Sequence, residues 1–100
     1  MLKFSEIKLL GDGKVRARGP FAQEPKTKLK RVNFMLSQEN VMIEGEGRDS
    51  GKGGWVGEAD AGELLAGQYV YAVGVAVLVK EGWPPTVQTF TWCEQAQLEG

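Results

Sequence analysis

Histidine is absent from this 100-residue chain, and cysteine occurs once, at Cys93. Without histidine there is no Ser-His-Asp triad, no Cys-His pair, and no ordinary zinc or haem ligand set. A lone cysteine rules out an intramolecular disulfide and most often serves as a small buried hydrophobe, which is the role expected of Cys93. Long apolar runs are also missing. The longest, residues 69 to 79, falls well short of the ~18 residues of a membrane helix. At the N-terminus, Lys3, Glu6 and Lys8 break any signal-peptide core. These absences set the expectation of a soluble, cytoplasmic, non-enzymatic protein that uses no cofactor and no membrane.

Charge of one sign is scarce in each part of the chain. Residues 1 to 31 carry nine of the twelve basic side chains and three of the thirteen acidic ones, a net of +6, and the remainder carries −7. One explanation is that strands from the two halves pair opposite charges across a sheet surface; the other is a basic binding face. Glycine is plentiful, 14 residues against the usual ~7%, which points to many turns between short strands within a single domain spanning 1–100.

The period-two pattern supports that reading. Residues 3–10 change phase between Leu2/Phe4 and Ile7/Leu9, suggesting an edge strand with a bulge. Lys14 to Phe21 alternates, with Val15 and Ala17 inward and Lys14, Arg16 and Arg18 outward. Leu29 to Gln38 and Val41 to Arg48 form a hairpin about Glu39-Asn40, with Val41 and Ile43 on one face and Met42, Glu44 and Glu46 on the other. Trp55–Ala59 is a short strand, and Thr86–Leu98 places Phe90 and Trp92 opposite Val87, Thr89, Thr91 and Cys93. Between these two runs lies the most β-branched stretch, Gly67 to Lys80. Its odd positions are bulky (Tyr69, Tyr71, Val73, Val75, Val77, Val79) and its even positions mostly small. The bulky side is expected to fill the core. The even set Val70, Ala72, Gly74, Ala76 and Leu78 would then form an exposed apolar stripe suited to homodimer formation.

Seven strands with turn signals between them predict an all-β fold, an antiparallel sandwich. Leu64-Leu65-Ala66-Gly67-Gln68-Tyr69, read as Leu-x-x-Gly-x-Tyr before a long strand, resembles the tyrosine corner of immunoglobulin-like and fibronectin-type domains. The chain lacks the paired cysteines of antibody-type domains and has no tryptophan on its third strand. The resemblance implies an immunoglobulin-like β-sandwich with recognition loops at its ends.

Phosphate motifs fail on spacing. A P-loop ending at Gly51-Lys52 needs Gly at 46 and Ser or Thr at 53, where Glu46 and Gly53 stand. Glu44 and Glu46 share a strand face, but such a pair is far more often a solvated face, or a partner for the Lys14, Arg16, Arg18 stripe, than a glycosidase pair.

If the strands run alternately up and down, connections 20–28, 49–53 and 81–85 share one end. They carry Lys26, Lys28, Asp49, Lys52 and Trp83. Trp83, in a proline-stiffened loop, is either a binding hot spot or a cap folded over the core. Two functions stay open. The first is a non-catalytic module that binds a protein partner through these loops or self-associates through its sheet, with a carbohydrate-binding variant using Trp55 and Trp83. The second is a single-stranded nucleic-acid binder on an OB-like barrel, with Lys14, Arg16, Arg18, Lys30 and Arg31 tracking phosphates and Phe21 or Trp55 stacking bases.

Overall fold

The computed structural model describes residues 2–22 and 24–100. Among these residues seven strands follow one another without a helix: β1 (Glu6–Leu9), β2 (Lys14–Pro20), β3 (Thr27–Gln38), β4 (Val41–Asp49), β5 (Gly54–Asp60), β6 (Tyr69–Lys80) and β7 (Thr86–Gln97). The all-β, antiparallel, seven-stranded expectation therefore holds. The strands do not divide into two sheets. They form one sheet in the order β1-β2-β5-β4-β3-β6-β7, curled into a half-barrel. A strongly twisted sheet can cover its own concave face, so one curled sheet encloses a core without a second layer.

Local signals explain several boundaries. The β3–β4 hairpin forms in the predicted register, Gln38 opposite Val41 and Leu36 opposite Ile43. The left-handed residue of its turn is Glu39 (φ 51°). The phase change near the N-terminus is not a bulge in β1. The chain bends at Ser5, which lets both Phe4 and Ile7 reach the interior. The bulge lies instead in β3, between Leu29 and Arg31, against β6. The β5–β6 connection contains only turns and is pinned from inside by Gln38. This buried amide donates to the Leu65 carbonyl (2.9 Å) and accepts from the Leu65 N–H (2.7 Å).

The orientation of β6 reverses the expectation. Val70, Ala72, Gly74, Ala76 and Leu78 are all buried on the concave face, while Tyr69, at 62% exposure, and Tyr71 stand outside. The small residues are inside because neighbouring strands bring large rings over them. Gly74 lies between Phe34 of β3 and Trp92 of β7. Phe34 in turn occupies the space that a side chain at Gly45 would need. Four rings form the centre of the core, with Phe4 5.4 Å from both Trp55 and Trp92, and Trp55 6.1 Å from Trp92 and 6.2 Å from Phe34. Edge-on and tilted pairs of this kind add about 0.5–1.5 kcal/mol each beyond burial. The even stripe is therefore not free to form a homodimer. Of the odd-set valines, Val73, Val75 and Val79 are half-buried, as β-branched residues on a strand's outer face can be, whereas Val77 is buried. Cys93 is exposed on that same convex side, opposite Val73.

The two ends of the sheet are joined across the curl. Beyond β7, Glu99 pairs in parallel with Lys8, the Leu9 N–H donating to the Glu99 carbonyl (2.7 Å) and the Glu99 N–H to that of Ile7 (2.9 Å). The Phe4 N–H reaches the Glu94 carboxylate (3.1 Å).

Candidate recognition surface at the loop end

Antiparallel pairing brings the turns after β2, β4 and β6 to one end of the half-barrel, and main-chain hydrogen bonds tie them together. The Phe21 N–H donates to the Gly53 carbonyl (3.1 Å), and the Glu81 N–H to that of Lys26 (2.7 Å). The β4–β5 loop is shaped by its own side chains. Asp49 Oδ1 accepts from the Gly51 N–H (2.8 Å), Ser50 Oγ from the Lys52 N–H (3.3 Å), and Gly51 and Gly53 both take φ of 78°. That left-handed geometry carries no steric cost for glycine, which accounts for the glycine-rich sequence without a phosphate.

All five residues expected at this end are exposed: Lys26, Lys28, Asp49, Lys52 and Trp83. Asp49 has a local structural role as the acceptor in its turn. Trp83 does not cap the core. It is 96% exposed, and Phe21 seals that end of the interior instead, at 7% exposure. Sequence reasoning missed a cavity of about 190 Å³ beside these loops, walled by Leu2, Phe21, Ala22, Glu24, Thr27, Leu78, Gln88 and Phe90. It sits where the N-terminal segment and the start of β7 fail to meet. No periodicity in either segment could have shown this, because it depends on how far the sheet curls.

The residues of the nucleic-acid reading are arranged differently. Trp55 is 1% exposed in the ring cluster and, like Phe21, offers no face for a base. Arg16 and Arg18 both hold Glu6, at 3.0 and 3.2 Å, and Lys14 holds Asp60 at 2.6 Å. The Arg16 hydrogen bond, aided by the charge of Arg18, keeps the Glu6 carboxyl below the usual glutamate range. Lys14 likewise lowers Asp60 and is itself raised. Cross-strand pairing thus accounts for most of the basic stripe, although the partners come from β1 and β5. Glu44 and Glu46 lie one strand further away, Glu46 standing opposite Glu58. With Trp55 inside, the sugar-binding variant keeps only Trp83. Among the described residues, no group of three or more His, Cys, Asp or Glu side chains could hold a metal, and no helix is long and apolar enough to cross a membrane.

Compared with known protein families, curated proteins and solved structures, the chain matches none.

Proposed function

We propose that this protein is a non-catalytic interaction module that binds a protein partner through its loop end, as immunoglobulin-like domains use the ends of their sandwiches. The observation that carries this reading is Trp83, almost wholly exposed in a Gly-Trp-Pro-Pro loop whose base is bonded to the Lys26 turn. An exposed indole on a loop of restricted conformation brings large contact area at low entropic cost, which is the usual character of an interface hot spot. Lys26, Lys28 and Lys52 are exposed at the same end and would supply polar contacts. A cytoplasmic setting suits the exposed, unpaired thiol of Cys93. Single-stranded nucleic-acid binding is the weaker reading, because its stacking residues are buried and three of its five cations are already paired.

A photo-crosslinking side chain at position 83 tests the proposal in the cell of origin. It should capture a defined protein, and the purified partner should bind the wild type at least tenfold more tightly than Trp83→Ala. Equal affinity for the two forms would sink it.

A further inference from the structure

We propose that two copies of this protein pair through the free edge of β7, antiparallel, about a two-fold axis at Phe90. β7 is the last strand of the sheet and, among the described residues, its ladder pairing is with β6 alone. Among the described residues, the main chain of 86–93 makes no backbone hydrogen bond on its other side, and the N-terminal segment meets β7 through side chains, the Phe4 N–H on the Glu94 carboxylate and the Phe4 ring against Trp92. This stretch of about 26 Å of extended chain therefore presents unpaired donors and acceptors at every second residue.

Natural sheets protect such edges with charges, prolines, bulges or a cover. Thr86 to Cys93, TVQTFTWC, has no charge, proline or glycine, is regularly paired to β6 throughout, and is exposed along residues 86–91. The other end of the sheet is treated differently. β1 is four residues long, and its outer edge is occupied at Ile7–Leu9 by Glu99. A β7-to-β1 contact, which would propagate into a filament, is thus obstructed, and a second β7 is the matching edge the chain offers. Such an isologous contact closes at two.

The segment also complements itself. With Phe90 on the axis, Phe90 meets Phe90 of the second copy, Thr89 meets Thr91, Gln88 meets Trp92 and Val87 meets Cys93. Like faces stay together, and Glu94 falls opposite Thr86, so no like charges oppose each other. On the concave side, the cavity between Leu2, Phe21 and Phe90 leaves room beside the new strand. One added strand pair lies at the small end of protein interfaces, so the dimer should be weak and concentration-dependent.

Light scattering on the intact protein from micromolar to millimolar concentration tests this. The mass should climb from 10.9 kDa toward twice that value. The double variant Thr89→Lys/Thr91→Lys, which sets lysines against lysines on exposed positions, should keep its fold by circular dichroism and remain at monomer mass. Hydrogen exchange distinguishes edge pairing from packing of the convex faces: alternate amides of 86–93 should gain at least tenfold protection as concentration rises. A mass fixed at the monomer value, a dimer that the double variant leaves intact, or a dimer whose 86–93 amides exchange as fast as in the dilute protein would each overturn the proposal.

Discussion

Gly74 lies directly opposite Trp92, and the indole fills the space that a side chain at position 74 would occupy. Gly74→Ala should therefore force the ring to move, at a cost of about 1–3 kcal/mol, and Gly74→Phe should not fold. In a Trp92→Phe background, where the outer ring atoms are gone, the cost of the alanine should shrink. Urea denaturation of the four proteins in this cycle would give a coupling of about 1 kcal/mol or more; strict additivity would show that the contact does not set the cost.

Trp83 makes the opposite case. Its side chain is almost wholly exposed, so Trp83→Ala should leave the unfolding free energy within about 0.5 kcal/mol of wild type while weakening partner binding. Thermal unfolding and a binding isotherm measured on the same preparation separate the two effects.

Glu6 gives the fold a component of acid sensitivity. Its carboxyl is held below the unfolded value by Arg16 and Arg18, so its stabilising contribution is complete at pH values above the unfolded glutamate range. That contribution is lost as pH falls through the depressed folded value. Glu6→Gln should cost up to about 1 kcal/mol at pH 7 and nothing near pH 2, flattening the acid limb of stability against pH. Chemical denaturation at several pH values between 2 and 7 reads this directly; parallel curves for the two proteins would contradict it.

Gln38 is buried with both ends of its amide bound to the Leu65 main chain. Gln38→Leu should strand one N–H and one C=O and destabilise by about 1–3 kcal/mol. Hydrogen exchange should rise first at the Leu65 amide, before any change in the strands.

Much of the architecture was legible because strand pattern is local. All seven strands, the β3–β4 register and the two faces of β7 follow from alternation and turn residues. The facing of β6 was not, because bulk within one strand does not reveal where its neighbours place theirs. Phe34 and Trp92 supply the volume that Ala72, Gly74 and Ala76 lack, and this crowding depends on pairings across the sheet. The same limit hid the partnership of β2 with β5. It sends Lys14 to Asp60 and leaves Arg16 and Arg18 to Glu6 of β1, rather than to Glu44 and Glu46. At the loop end, the five proposed residues were legible as exposed polar or aromatic residues in turns. The neighbouring cavity was not, since it is a product of incomplete closure.

The bridge between Lys8 and Glu99 joins positions separated by nearly the whole chain. Such a contact cannot form until β7 has docked, so it belongs late in folding, when most of the loop-closure entropy has already been lost. It is also slight, with one strand of four residues meeting a tail of two or three. The seam is therefore where the native protein should breathe most readily, parting β1 from the tail while β3, β6 and β7 stay paired. Each opening would briefly admit water to Phe4, the buried Trp55 and the half-buried Trp92, making tryptophan fluorescence a sensor of motion at a seam that contains neither indole.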